Sequence, residues 1–269
     1  MKVIEKSMSC PPPRKPRTII AFTLAEVLIT LGIIGVVSAL TIPNLIANYQ
    51  EKVHLTRLKK TASELTNAYN LAVSENGSVN TWSNGTSMTE HGKALNNVFS
   101  QYLKYVKVCE KYSKACESPT IHNRNGSKYW TRNPFDYYSN GAVKYFLTDG
   151  SIIQIKASVG DGYTSNWCRY PSKYSHYLYK CGEILVDTNG FKGPNRNGVD
   201  VFKFLIMQDK LLPLGAKDDH SIENFTACNG TSGYGEAFGT CTAWALYNEN
   251  MDYLHCPKEL SWDGKHSCK

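Results

Sequence analysis

Three sets of residues in this chain have the types and spacing to do chemistry: a lone carboxylate in an apolar run, a series of cysteines, and a short acidic turn. Glu26 is the only charged residue between Phe22 and Gln50, and it sits near the start of that run. A bilayer core about 30 Å thick is crossed by roughly 20 apolar residues in a helix, so the run is long enough. An ionisable group inside such a span is costly and marks a functional position. Two outlets are open to it: an ion pair, which also fixes register, or a reach toward the headgroup region near the helix end.

Nine cysteines are present. Cys10 precedes the apolar run. The other eight, Cys109, Cys116, Cys168, Cys181, Cys228, Cys241, Cys256 and Cys268, follow it. An even set in an exported chain reads as a disulfide framework. Eight cysteines allow 105 connectivities; pairing of sequence neighbours, Cys109–Cys116, Cys168–Cys181, Cys228–Cys241 and Cys256–Cys268, is the simplest. Loops this short are each worth up to roughly 3 kcal/mol by loop closure. No C-x-x-C occurs and the seven histidines are scattered, so a zinc site is not expected.

The acidic turn runs from Asp187 to Asp200 and contains Gly190, Gly193 and Gly198. Calcium takes carboxylate, amide and backbone oxygens on a loop bent by glycine, and Asp187, Asn189 and Asp200 could supply them to a structural calcium. The same residues also suit a glycine-rich turn without metal, and Lys192 and Arg196 add positive charge to it. No other cofactor is expected. The chain has no G-x-S-x-G, Walker A or H-E-x-x-H motif, so the reading is not that of an enzyme.

These residues need elements to position them. The basic residues Lys2, Lys6, Arg14, Lys15 and Arg17 lie before the apolar run, which puts that end in the cytoplasm and everything after Tyr49 outside it. The run exceeds the 7–15 residue apolar core of a secretory signal. Beyond Tyr49, Leu58, Ala62, Leu65, Tyr69 and Ala72 step at helical spacing, so an amphipathic helix continues. It stops at Glu75-Asn76-Gly77-Ser78, with Gly77 as a left-handed cap. From Phe22 to Glu75 such a helix would be about 80 Å long. Within the apolar half, Gly32, Gly35 and Ala39 share roughly one face, which suits close helix packing in lipid. Pro43 should kink or open the helix.

Residues 76–269 are polar and aromatic-rich, ample for one domain. Thr89–Lys107 reads as a helix with Leu95, Val98, Phe99, Tyr102 and Val106 on one side. Ala142–Thr148 and Ser151–Ala157 read as a hairpin joined by Asp149-Gly150. Gly182–Asp187 and Val199–Met207 are two further strands. Phe238–Asn248 is a short helix, and the rest of Lys210–Lys269 reads as disulfide-stapled loops. The expected class is α+β, a long N-terminal helix packed on an antiparallel sheet.

The N-terminal run resembles that of type IV pilins and of the pseudopilins of type II secretion. Phe22 stands as the first mature residue, followed by Thr23, Leu24, Ala25 and the acidic Glu26, with Gly35 and Pro43 where the family has glycine and proline. The resemblance covers about 30 residues. The family has glycine before the cleavage point, where this chain has Ala21, and here Thr18, Ile19 and Ile20 separate the basic cluster from it; alanine is small enough for the same pocket. The resemblance implies a leader over 1–21, cut by a prepilin peptidase between Ala21 and Phe22, with N-methylation of Phe22. It implies a helix over 22–75, of which 22–49 lies in the inner membrane, and an exported pilin-like domain over 76–269. It further implies an assembly platform in that membrane, and a periplasmic or extracellular filament in which Glu26 pairs with the amino terminus of a neighbouring subunit and Gly32, Gly35 and Pro43 serve packing and bending.

The whole chain carries +7, but five basic residues and one acidic lie in 1–21, which leaves +3 on the remainder. Tyrosines such as Tyr102, Tyr105 and Tyr112 lie near lysines; such pairs can grip single-stranded DNA, and they also pack sheet surfaces. The reading is a structural filament subunit, a minor or tip one by its size. The alternative is a membrane-anchored exported protein for binding, adhesion or DNA uptake that never polymerises.

Overall fold

A computed structural model describes residues 23–128, 133–157, 168, 180–217, 228 and 239–268. The chain divides into two units, Met1–Asn48 and Tyr49–Lys269. Helix α1, Leu24–Asn76, contains Pro43 without being ended by it. Pro43 removes the amide that would serve the Ala39 carbonyl, yet the helix runs on.

In the first unit nearly every large apolar side chain of α1 is exposed, from Leu24 through Ile46. The stretch is long and apolar enough to cross a membrane. Two of its threonine hydroxyls bond back to the helix: Thr30 Oγ1 donates to Val27 O at 3.0 Å and Thr41 Oγ1 to Val37 O at 2.9 Å.

The second unit is α+β. The later turns of α1 bury Leu58, Leu65, Tyr69 and Ala72 of the stripe expected from helical spacing, with Ala62 half-buried and Ala68 buried beside them. At Gly77 (φ 77°) the amide donates to Val73 O and the helix stops. Helix α2, Met88–Phe99, begins with a capping box, in which Ser87 accepts from the Glu90 amide and the Glu90 carboxylate accepts from that of Ser87.

Six strands follow: β1 Tyr105–Cys109, β2 Val143–Leu147, β3 Ile152–Ala157, β4 Lys180–Asp187, β5 Val201–Met207 and β6 Leu211–Pro213. They form one antiparallel sheet in chain order. Helix α3, Thr242–Tyr247, packs against β5 and β6.

Two sequence expectations need correction. The helix read over Thr89–Lys107 ends at Phe99; a 3-10 turn covers Ser100–Tyr102, and Tyr105–Cys109 is the edge strand β1. Tyr105, Val106 and Val108 favour a pleated surface, and the ladder to β2, with Val108 opposite Tyr145, outweighs helical spacing. Leu211–Pro213, placed among loops, is strand β6, paired with β5.

The sheet is covered on both faces. One face carries Tyr145, Ile153, Ile155, Ile184, Val186, Phe202, Phe204 and Ile206 and packs with Leu58, Leu65 and Tyr69 of α1 and Leu95 and Phe99 of α2. The other face carries Ile152, Leu185 and Val201, closed by Ile121 and Phe135, and Leu205 beside Leu212, Leu214 and Ala243. Charged residues share this second face. Lys144 is fully buried and donates to Cys116 O (2.6 Å), Ser118 Oγ (2.5 Å) and Asp136 Oδ1 (2.5 Å).

Glu183 is likewise buried, with Lys156 Nζ at 2.8 Å, Lys180 at 3.6 Å and Lys203 at 3.8 Å. Burial alone would raise its pKa; the ammonium groups of Lys203, Lys180 and Lys156 outweigh that and hold the carboxyl well below the usual range. The folded value lies below the unfolded one, so this stabilisation is present above the ordinary 4.5 and is lost as pH falls toward the folded value. Glu183→Gln should therefore cost about 3–5 kcal/mol at neutral pH, the cost of breaking a buried ion pair. Urea unfolding should show the gap to wild type narrowing below pH 4.5.

Candidate functional site

The residues singled out in the sequence fall into two places, one in each unit. At the start of α1, Glu26 does not stand free. Its Oε2 accepts from the Thr23 amide at 2.8 Å and from Thr23 Oγ1 at 2.8 Å, while the Glu26 amide donates to Thr23 Oγ1 at 3.2 Å. This is a reciprocal cap: Thr23 and Glu26 satisfy orphan donors of the first turn. Thr23 was noted in the sequence only as part of an N-terminal pattern; its T-x-x-E spacing is the signal of its capping role. Ala21 and Phe22 lie outside the described residues. Gly32 and Gly35 have open space where a side chain would sit, with nothing within 4 Å. Among the described residues no packing requires them to be glycine, although glycine costs a helix about 1 kcal/mol relative to alanine.

The second place is the turn from the last residue of β4 to the start of β5. Asp187 and Asp200 are 1% and 0% exposed. Asp187 Oδ1 accepts from the amides of Asn189 (3.2 Å) and Gly190 (2.8 Å). Asp200 accepts from the amides of Asn195 (2.8 Å, Oδ2) and Arg196 (2.6 Å, Oδ1), and the Asn189 side chain also hydrogen-bonds to it. Asn189 is buried, its Nδ2 donates to Gly193 O at 3.2 Å, and its Oδ1 has no donor.

Asn195, which adopts a positive φ of 51°, turns its carboxamide toward Asp187 Oδ2 and Gly190 O. With nitrogen facing them it donates at 3.2 and 2.8 Å. With oxygen facing them, three acceptors meet with no proton between them. Burial, then the charge of Asp200, push the Asp187 carboxyl up to about 8 against its two amide donors. Burial pushes Asp200 up to about 6 against the amides of Arg196 and Asn195. Among the described residues no lysine, arginine or histidine forms an ion pair with either carboxylate. The structure thus brings together Asp187, Asn189 and Asp200, and adds Asn195 and the Gly190 carbonyl, which periodicity and composition do not reveal.

The turn is also a junction. His122 donates its amide to Asn195 O and Asn197 donates back to His122 O. The Gly239 amide donates to Asn197 Oδ1 at 2.8 Å, and Tyr253 Oη donates to Gly198 O at 2.7 Å.

The disulfides join sequence neighbours: Cys109–Cys116, Cys168–Cys181, Cys228–Cys241 and Cys256–Cys268. Of the tyrosines near lysines, Tyr102 donates its hydroxyl to Glu75 at 2.8 Å and Tyr105 stacks edge-on against Tyr145 at 5.2 Å; Tyr112 is exposed. Among the described residues no three His, Cys, Asp or Glu side chains gather as a metal cluster, so any cation in the β4–β5 turn would rely on amide and backbone oxygens as well as its two carboxylates.

Gly190 sits at φ 62°, and a Cβ there would lie 2.3 Å from Gly150 O in the β2–β3 turn. Gly190→Ala should destabilise the domain by about 1–3 kcal/mol for the left-handed backbone alone, with the clash adding to it. Chemical denaturation of the variant measures this; wild-type stability would show that the turn is not held as described.

No curated protein and no solved structure matches the chain. Residues 44–258, from inside α1 to beyond α3, match a family described as of unknown function, DUF6613, and the chain belongs to that family.

Proposed function

We propose that this chain is a structural subunit of a pilin-like or pseudopilin-like filament, processed between Ala21 and Phe22 and held in a membrane by the first half of α1 until assembly. The observation that carries this reading is the composition of α1. One uninterrupted helix changes from wholly apolar and exposed to amphipathic and buried on one side, and the apolar half holds a single charge in its first turn. An anchor needs the apolar length alone. It has no use for a carboxylate inside the span, nor for two glycines that no packing among the described residues requires.

In a bundle of such helices these features have work to do. Gly32 and Gly35 let neighbouring backbones approach. The Glu26 carboxylate, removed from water, is neutralised by the amino terminus that cleavage creates on an adjacent copy. The bond from Thr23 keeps that carboxylate at the helix start, where an incoming ammonium group can reach it. The exported domain, with its four bridges, then forms the outer part of the filament.

Mass spectrometry of the mature N-terminus should find methylated Phe22; an intact Met1, or a cut elsewhere, would favour an anchored protein that does not polymerise. Glu26→Ala should leave processing and the folded domain intact and abolish recovery of the subunit in sheared filaments. Normal incorporation of that variant would remove the pairing from the reading.

A further inference from the structure

Lys59, Lys60, Lys217 and Lys265 meet their carboxylate partners at the surface. Lys144 and Asp136 meet out of water: their side chains are 0% and 15% exposed. The ring of Tyr138 lies over Lys144 Nζ, 5.4 Å from it at the centroid, and Phe135, next to Asp136, is buried in the second cluster.

The geometry gives this pair a reactive state. A lysine ammonium has three protons, and here they meet Cys116 O, Ser118 Oγ and Asp136 Oδ1, at 2.6, 2.5 and 2.5 Å. A carbonyl and a hydroxyl are too weakly basic to take a proton from it, but a carboxylate can. Transfer along the third bond leaves a neutral amine, still held by Cys116 and Ser118, whose lone pair faces the carboxyl that has just been protonated. Burial favours that state: it pulls the Lys144 ammonium below its usual range, against the hydrogen bond and charge of Asp136. An amine left uncharged by a dry pocket is a nucleophile, and a protonated carboxyl accepts it where a carboxylate does not. Glu183 shows the contrast. It is buried as well, but it faces the ammonium groups of Lys156, Lys180 and Lys203, which keep it ionised.

We propose that Lys144 and Asp136 condense into an intramolecular amide. Nζ attacks Cγ of the protonated Asp136, the Cγ–OH bond breaks, and the hydroxyl leaves with a proton from Nζ as water. One ammonium and one carboxylate give one amide and one water, so atoms and charge balance without an oxidant, a cofactor or a second protein. The fold holds the two groups in contact, which makes the step intramolecular and removes the entropy cost of bringing them together. The amide joins β2 to the 3-10 turn Pro134–Asp136 and so fastens the covering chain to the second face of the sheet. It survives reduction, which opens disulfides, and acid, which discharges ion pairs. It forms within one chain and requires neither processing nor assembly, so it stands apart from the filament reading.

Trypsin tests for the bond, because it cuts after a lysine only when the amine is free. The full chain is purified in detergent, reduced, alkylated, digested and analysed by mass spectrometry. Residues 133–156 should be recovered as one peptide, uncut at Lys144 and one water lighter than its sequence. Its fragmentation should yield no breaks between Asp136 and Lys144, which the amide closes into a ring. Lys144→Arg keeps the positive charge but cannot form this amide, and should be cut at that position into two peptides of full mass. That readout holds whether or not the variant is as stable as wild type. Recovery of 133–144 and 145–156 as separate peptides of full mass from the folded wild-type chain would overturn the proposal, as would loss of one water from 133–144 in Lys144→Arg.

Discussion

Covering both faces of a sheet imposes a charge constraint on every strand. A one-sided antiparallel sheet lets alternate residues keep their charges in water. Here the second face is closed by Ile121, Phe135, Leu212, Leu214 and Ala243, and Lys144, Gln154, Glu183 and Asp187 are carried inside with it. An uncompensated charge in that setting costs several kcal/mol, so each must be answered locally. Lys144 has Asp136, Ser118 and a carbonyl; Gln154 Nε2 donates to Phe135 O; Glu183 has three lysines. The partners of Lys144 and Gln154 lie outside the strands, between Cys116 and Asp136, and so tie that part of the chain to the sheet, whereas those of Glu183 lie on β3, β4 and β5 themselves. At the end of β4, Asp187 and Asp200 receive amides and, among the described residues, no cationic side chain; Gln154 Oε1, farther along the same face, likewise finds no donor there.

Helix α1 obeys two solvents in turn. Around the stripe Leu58–Ala72 its apolar residues are spaced for one face, and that face is buried against the sheet. Before Tyr49 they are spaced for none, and nearly all are exposed. A helix apolar all round and uncovered is stable only in lipid or among other helices. The pattern thus changes along one continuous element whose first part is long and apolar enough to cross a membrane, and the carboxylate of Glu26 lies at the far end of that part. The reciprocal cap with Thr23 gives that carboxylate a purely local role as well; what capping does not explain is the choice of an acid over glutamine, which caps the same way.

Local patterns were legible where one physical rule decided. The stripe in α1, the Asp149-Gly150 hairpin and the strands around Ile184 and Phe204 follow from periodicity and turn chemistry, and short loops between cysteines match the observed bridges. Tyr105–Cys109 was misread because Tyr102 and Val106 also fit helical spacing, and only its ladder to β2 decides between the two. Leu211–Pro213 is too short to signal a strand and exists through pairing with β5. The second core was hidden for another reason. Nothing in Lys144 or Glu183 announces that a buried partner waits elsewhere in the chain. In the same way the β4–β5 turn showed its carboxylates and one amide, while Asn195 and the Gly190 carbonyl belong to it only through the path of the backbone.

The disulfides complete the argument about what kind of domain this is. A unit of this size with apolar clusters on both faces of one sheet does not need staples to fold, and two of its bridges, Cys168–Cys181 and Cys228–Cys241, are buried within the larger cluster. Cys109 ends β1 and ties back the turn to Cys116; Cys181, in β4, holds Cys168; Cys241, just before α3, holds Cys228; Cys256 and Cys268 close the C-terminal loops. Each bridge closes a short loop and so reduces the freedom of the chain between its two cysteines. The β4–β5 turn does the same work with polar contacts, binding the 121–128 segment and the region of Tyr253 to the sheet.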